Sequence, residues 1–368
     1  MTKLFTPLRV GRVELANRIA MAPMTRFRAD DNHTPLPIVK EYYAQRASVP
    51  GTLLISEATS ITARAGGYPN APGIYNDAQI AAWKEVTDAV HAKGSYIYLQ
   101  LWALGRVASR ELLQAGGFDL ISSSATAMDE KSHTPRALSE TEIHEWISDY
   151  AQAARNAIAA GFDGVEIHGA NGYLVDQFIQ DTCNKREDAW GGSVENRGRF
   201  AVEVARAVVE AVGADRTGIR LSPWGTFQGM KMEDPKPQFG YLATQLAGLG
   251  LAYTHLVEST VVGNDDVKTA EKLDFFLQAY GKASPVIVAS GYEAESAVQA
   301  ADVKYAGYDA IVGIGRPFIS NPDLPFRVQK GIPFAPYDAA TFYNAKDPKG
   351  YTDYPFSAEF QKSIEAAA

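Results

Sequence analysis

Short apolar runs alternate with helical patterns along the whole chain. Eight such runs are rich in β-branched and aromatic residues, at positions 18–21, 53–56, 96–101, 164–168, 218–221, 253–257, 286–289 and 310–314. The segments between them carry helix-start signals, such as Thr34-Pro35, Asn76-Asp77 and a capping box from Ser139 to Glu142. Continuously apolar strands that alternate with helices indicate a parallel sheet covered on its outer face.

The regular repetition of these units favours a closed barrel over an open doubly wound sheet, because closure leaves no strand edge unpaired. No Gly-x-Gly-x-x-Gly follows the first strand, and no Gly-x-x-x-x-Gly-Lys-Ser/Thr occurs. We therefore predict an α/β protein with a single (β/α)8 TIM barrel domain over residues 1–368. Residues 103–138 predict an excursion after strand 3, as a hairpin or lid over the barrel mouth. The aromatic tail after Pro333 predicts a C-terminal extension that folds back over the barrel.

Composition narrows the class of partner. The net charge is -8 and no run of Lys or Arg forms a basic stripe, so we expect no nucleic-acid partner. No signal peptide and no apolar run long enough to cross a bilayer is evident, which predicts a cytoplasmic protein with no membrane partner. Cys183 is the only cysteine, so an intrachain disulfide and a thiolate metal site are excluded. The sequence carries no signal for an oligomeric state.

Polar residues follow the C-terminal ends of the predicted strands, where barrel enzymes of this kind carry their active sites. Ser290-Gly291 and Gly313-x-Gly315-Arg316 follow strands 7 and 8, a pattern typical of a phosphate held by backbone amides and an arginine. The same glycines would also serve tight turns before helices. The segment therefore either binds the phosphate of a cofactor or substrate, or only forms turns between strands and helices.

The end of strand 4 brings three polar side chains into one short segment. His168 and Asn171 lie three residues apart, which lets two donors converge on one oxygen and polarise a carbonyl or nitro group. The alternative is that each serves a local hydrogen bond. Tyr173 is protonated at neutral pH, so it is either a proton donor or a packed aromatic residue.

Other barrel chemistries fit these strand ends less well. A Schiff-base aldolase needs a lysine in the barrel, and none of the predicted strands contains one. No His-x-His pair of metal ligands is present, and no Gly-x-Ser-x-Gly nucleophile motif occurs. We therefore predict no metal in the site.

Several separated segments together resemble one family. The most specific are Gly161 to Leu174 with the sequence GFDGVEIHGANGYL and Trp190 to Arg197 with the sequence WGGSVENR. Further matches are Leu4 to Leu8, Ala22 to Arg26, Glu41 to Ala47, Gln100 to Trp102, Ser122 to Ala125, Gly315 to Ile319 and Gly350 to Pro355. Over nearly its whole length the chain resembles the Old Yellow Enzyme family of flavin-dependent ene-reductases, and most of all its fungal members.

The resemblance implies non-covalent FMN, with NADPH as hydride donor. The positions that match the flavin-ring side are Pro23, Met24, Thr25, Ala58, Gln100 and His168, and those that match the phosphate side are Gly291, Gly315 and Arg316. Arg220 matches the cation beside the flavin N1 and O2 edge. Trp102 and Tyr351 match positions near the substrate.

The implied reaction passes hydride from NADPH through flavin N5 to the β-carbon of an α,β-unsaturated carbonyl compound or related activated alkene. His168 and Asn171 would hold the carbonyl oxygen and Tyr173 would protonate the α-carbon. The second donor is Asn171, where some relatives have a second histidine. The alternative is a flavin-dependent isomerase or aldehyde reductase of a fungal ergot-type alkaloid pathway. In that branch a Phe in place of the tyrosine accompanies isomerisation, so Tyr173 favours reduction.

Overall fold

The fold is given by a computed structural model that describes residues 2–262, 265–266 and 271–366. Eight parallel strands form the barrel wall: β1 (Ile19–Met21), β2 (Leu53–Ile55), β3 (Tyr96–Trp102), β4 (Gly164–Gly169), β5 (Thr217–Leu221), β6 (Tyr253–Val257), β7 (Val286–Ala289) and β8 (Ala310–Ile314). Each strand pairs with the next, and β8 pairs with β1, so the sheet closes on itself. The predicted (β/α)8 barrel is confirmed.

Side chains that point into the barrel recur two residues apart along each strand, because successive side chains of a strand face opposite ways. The lower tier is apolar and packs with a hairpin of strands Leu8–Val10 and Val13–Leu15 at the bottom of the barrel. The tiers above are polar. Their buried members are Gln100 on β3, Glu166 and His168 on β4, and His255 on β6. The fold therefore closes the barrel below with apolar residues and collects polar side chains towards the mouth.

Helices cover the outside of the barrel. Those of the described residues are Pro37–Arg46, Asp77–His91, Arg110–Ala115, Glu140–Ala159, Leu174–Ile179, Val194–Val212, Lys236–Ala247, Asp274–Tyr280, Ala294–Gln299 with a π-helical turn Ala300–Lys304, Arg316–Ser320, Leu324–Lys330 and Ala358–Glu365. The predicted starts at Asn76 and at the Ser139 capping box are confirmed. The start predicted at Thr34-Pro35 is wrong, because Pro37 is the first helical residue and fits the first turn equally well. No helix of the described ranges is long and apolar enough to cross a membrane.

The predicted excursion after β3 is present, but it does not form a hairpin. Ile121–Ser122 pairs with Arg136–Ala137 in parallel, and a hairpin would make this pairing antiparallel. Leu104, Leu113 and Leu120 from this segment join an apolar cluster with Trp102 that Tyr173 packs against. The excursion therefore supports one side of the mouth from behind.

Buried arginines fix the C-terminal extension to the barrel, as a folded-back tail requires. Arg28 donates all five of its N–H groups to carbonyl oxygens. These belong to Phe342 (2.8 Å), Asp347 (2.9 Å), Thr341 and Lys349 (3.2 Å each), and Arg26. Arg26 also donates to Phe342 O at 3.0 Å. These bonds hold the segment that carries Phe342 and Tyr343 against the mouth.

Replacing Arg28 with Lys is expected to destabilise the protein by about 2–4 kcal/mol, because an ammonium leaves buried carbonyl groups unsatisfied. The comparison is Arg64→Lys, at an arginine that is 30% exposed and pairs with Asp149 at 2.7 Å. That change should cost about 1 kcal/mol or less. Urea titrations of both variants measure the difference, and equal losses would show that Arg28 does not anchor the tail.

Candidate active site

A cavity of about 490 Å³ opens at the C-terminal end of the barrel, within the size range of small-molecule sites. Every barrel strand, or the loop that follows it, contributes to its lining. The lining includes the predicted cofactor and catalytic residues Pro23, Met24, Thr25, Ala58, Gln100, His168, Asn171, Tyr173, Arg220, Gly291, Gly315 and Arg316. The structure thus brings into one cavity residues that lie almost 300 positions apart in the sequence.

A tight turn after β4 places three of these side chains together. Asn171 and Gly172 both have left-handed backbone conformations, with φ of 59° and 80°. Asparagine tolerates this conformation better than most residues with a Cβ, which explains an asparagine at this position. The backbone N–H of Asn171 donates to Ser222 Oγ at 2.8 Å, and the backbone N–H of Gly172 donates to Asp176 Oδ2 at 2.9 Å. The turn is therefore fixed on both sides.

His168 is a neutral imidazole at the floor of this turn. Burial, followed by the charge of Arg220, lowers the pKa of His168 well below its ordinary value. Its Nδ1 atom is buried and has no hydrogen-bond partner among the described residues. A neutral imidazole keeps one N–H to donate, so His168 can polarise an oxygen in the cavity without acting as an acid.

Tyr173 stands beside His168, with the two ring centroids 4.9 Å apart. Trp102 packs edge-to-face on the tyrosine ring at 5.0 Å and fixes its position. Burial, with the nearby phenol of Tyr68, raises the pKa of Tyr173 above its ordinary value. The phenol therefore stays protonated at neutral pH and has a proton to give.

Two residues predicted to lie near the substrate, Trp102 and Tyr351, are outside the cavity lining, and their contact with a substrate stays a prediction. Trp102 is 1% exposed and lies behind Tyr173 and Tyr68, outside the cavity lining. Tyr351 is completely buried and stacks on Tyr42, with ring centroids 4.0 Å apart. The guanidinium of Arg28 lies 4.8 Å from the Tyr351 ring. Both residues support the wall of the cavity and do not line it.

The sequence patterns did not indicate several aromatic and amide side chains that lie at the mouth of the cavity. Tyr68, Phe227, Gln228 and Tyr343 line the cavity, and Tyr343 is 51% exposed. Tyr343 belongs to the aromatic tail noted in the sequence, but its place at the mouth depends on the arginine contacts of that tail. Phe227 and Gln228 follow β5 in a loop with no strand or helix signal, so no sequence pattern marked them.

The pH dependence of protein stability tests the role of Asp176 in this turn. Burial raises the pKa of Asp176 from 3.8 to about 7, against the opposing hydrogen bonds from Gln180 and from the Gly172 amide. A raised folded-state pKa means that the folded protein binds more protons than the unfolded chain between these values. The contribution of Asp176 to the free energy of unfolding is therefore largest below about pH 3.8, and it is lost as the pH rises through about 7.

Asp176→Asn removes this titration and keeps an oxygen acceptor for Gly172. Relative to wild type, the variant should gain roughly 2–4 kcal/mol of stability between mildly acidic and mildly alkaline pH. Urea titrations of both proteins across that range measure the gain. A difference between the two proteins that does not change with pH would contradict the assignment.

Comparisons with known proteins agree with this site. The model of the NADH:flavin oxidoreductase / NADH oxidase family matches residues 3–334. The chain is 80% identical to chanoclavine-I aldehyde reductase fgaOx3 of Penicillium roqueforti (strain FM164), over the whole of both chains. It matches the crystal structure of Old Yellow Enzyme from Pichia sp. AKU4542 with a TM-score of 0.90 and 40% identity, over 97% of this chain and 94% of that one. Morphinone reductase matches with a TM-score of 0.89 and 42% identity, over 97% and 96%.

The family model covers most of the chain, and the structural likeness extends to the barrel, the excursion and the tail. The predicted resemblance and the predicted flavin-dependent ene-reductase class are confirmed. The chain belongs to the NADH:flavin oxidoreductase / NADH oxidase family and is an NAD(P)H-dependent flavin oxidoreductase of the Old Yellow Enzyme type.

Proposed function

We propose that this enzyme holds FMN without a covalent link, uses NADPH, and reduces the C=C bond of an α,β-unsaturated aldehyde, ketone or related activated alkene. One observation carries the proposal. Thr25, Gln100 and Arg220 line the same cavity as His168, Asn171 and Tyr173, so a flavin ring and a conjugated carbonyl compound can lie against each other. When bound, FMN supplies a two-electron carrier between the nicotinamide and the alkene.

The described residues fit such a cofactor. Arg220 lines the cavity, and its Nε atom is buried without a hydrogen-bond partner among these residues, so the guanidinium can bind an acceptor such as the pyrimidine edge of a flavin. Gly313 also lines the cavity, and a glycine adds no side chain to the space that a flat ring would need. Ser290, Gly291, Gly315 and Arg316 follow strands β7 and β8 in the lining and would hold the phosphate.

The substrate carbonyl oxygen would accept hydrogen bonds from neutral His168 and from the Asn171 amide. These donors stabilise the negative charge that develops on the oxygen as the β-carbon is reduced. Tyr173 would give its proton to the α-carbon, and burial of its phenol keeps that proton in place at neutral pH. Each residue acts in the protonation state that its surroundings impose.

The substrate class follows from the relatives and from the mouth. A protein 80% identical to this chain is named a chanoclavine-I aldehyde reductase, and we propose chanoclavine-I aldehyde or a similar conjugated aldehyde as the substrate. Tyr68, Phe227 and Tyr343 give the mouth an aromatic surface that suits a bulky apolar substrate. The phenol of Tyr173 favours net reduction over isomerisation. We place the reaction in the cytoplasm.

The proposal is tested with purified protein reconstituted with FMN. We expect flavin absorbance that remains with the protein, faster oxidation of NADPH than of NADH, and one NADPH consumed per molecule of aldehyde converted. A protein that binds no FMN would overturn the proposal. Conversion of the aldehyde without net NADPH consumption would establish an isomerase in its place.

A further inference from the structure

A buried carboxylate lies beneath the cavity and outside its lining. Glu166 on β4 is completely buried and is one tier below His168. Its carboxylate accepts hydrogen bonds from Gln100 Nε2 at 2.7 Å, from His255 Nδ1 at 2.8 Å and from Tyr253 OH at 3.0 Å. Glu166 has no part in the reaction proposed above.

The carboxylate is ionised. Burial alone would raise the pKa of Glu166, but the His255 imidazole, the Arg220 guanidinium and the Gln100 amide together lower it below its ordinary value. Burial lowers the pKa of His255 despite the neighbouring carboxylate, so His255 is neutral and its Nδ1 carries the donated hydrogen. The network therefore holds one negative charge below the cavity and one positive charge, Arg220, beside it.

The network reaches the cavity through Gln100. An ionised carboxylate only accepts hydrogen bonds, so the amide nitrogen of Gln100 must face Glu166. The amide oxygen of Gln100 is thereby left to accept a hydrogen bond elsewhere, and Gln100 lines the cavity. Without this carboxylate, the side-chain amide of Gln100 could flip and present its nitrogen to the cavity in place of its oxygen.

The network also lies close to the cavity lining at Gly313 on β8. His255 Nε2 lies 3.6 Å from the position that a Cβ atom would take at Gly313, which is part of the lining. The buried imidazole therefore sits directly under a lining residue.

We propose that Glu166 is a positioning residue for the flavin: it fixes the Gln100 amide with its oxygen towards the ring, and its charge offsets that of Arg220. This inference rests on the proposed binding of FMN. The anionic form of reduced flavin carries a negative charge that oxidised flavin lacks. The balance between the buried charges of Glu166 and Arg220 therefore sets how easily the cofactor is reduced. Loss of the carboxylate leaves the positive charge of Arg220 uncompensated and favours the reduced form.

The test is a redox titration of the FMN-loaded protein against a reference dye. At the wild-type midpoint potential, Glu166→Gln should raise the ratio of reduced to oxidised flavin about tenfold, because one buried charge near the ring is lost. Glu166→Asp keeps the charge but withdraws it from Gln100. That variant should keep the wild-type ratio and bind FMN about tenfold more weakly.

Tyr253→Phe is the matched control, since it removes a hydrogen bond to the same carboxylate and leaves every charge in place. Its reduced-to-oxidised ratio should stay near that of wild type. If Glu166→Gln binds FMN and its ratio equals that of wild type, the inference is wrong while the proposed function stands. If Glu166→Gln does not fold, a wild-type FMN affinity of Glu166→Asp would overturn the positioning role by itself. A wild-type protein that takes up no FMN would overturn both.

Discussion

Tyr173→Phe is expected to slow alkene reduction by about 100-fold, because loss of the phenol leaves protonation of the α-carbon to water. Oxidation of NADPH in the first half-reaction needs no proton from this residue and should keep its wild-type rate. The variant should also fold normally. The ring that packs against Trp102 and His168 is retained, and only a hydroxyl group at the cavity surface is lost.

Stopped-flow measurement of each half-reaction separates these effects. Tyr343→Phe is the matched control, since it removes another phenol from the same cavity lining. We expect Tyr343→Phe to leave the alkene step near its wild-type rate. Equal slowing of both half-reactions by Tyr173→Phe, or slowing of the alkene step by Tyr343→Phe alone, would show that Tyr173 is not the proton donor.

Removal of either oxygen-holding donor is expected to have the second large effect. His168→Ala should weaken the binding of a phenol ligand to the oxidised holoenzyme by about tenfold or more and slow alkene reduction by about 100-fold. The reason is that a phenolate oxygen and a developing enolate oxygen need the same two donors.

Asn171 requires a different substitution, because its φ of 59° would strain an alanine. Asn171→Gly removes the amide without this strain and should lose phenol affinity by a similar factor. Asn171→His restores a donor at a position that histidine also tolerates, and should recover much of the affinity. Phenol titration followed by the long-wavelength absorbance of the complex measures all three variants. An Asn171→Gly protein with wild-type phenol affinity would remove Asn171 from the oxygen site.

The barrel could be predicted because its signals are local. Each strand is a short run rich in apolar residues, and helix starts such as Asn76 and the Ser139 capping box depend on residues within one turn. The excursion was harder, since parallel pairing of Ile121–Ser122 with Arg136–Ala137 depends on how the intervening loop crosses over. Its two-residue strands leave too short a pattern to indicate a direction.

The site was predictable wherever it depended on strand ends. His168, Asn171, Tyr173, Gln100 and Arg220 line one cavity because parallel strands end at one face of the barrel. Their individual roles came from the family resemblance and stay proposals. Residues placed by tertiary contacts were not predictable in this way.

Tyr351 shows where the sequence signal ends. The motif around it matched the family, yet the arginine contacts that bury it join residues more than 300 positions apart. The same contacts bring Tyr343 to the mouth. Glu166 belongs to the matched motif too, but its network with Gln100 and His255 becomes visible only when the strands are side by side.

The most direct test of the proposed reaction follows deuterium from two sources through one turnover. With a conjugated aldehyde and NADPH deuterated at its transferred C4 position, we expect deuterium on the β-carbon of a saturated aldehyde. With unlabelled NADPH in D₂O, deuterium should appear on the α-carbon. Deuterium on the carbonyl carbon of an alcohol product, or an isomerised aldehyde formed without loss of NADPH, would contradict it.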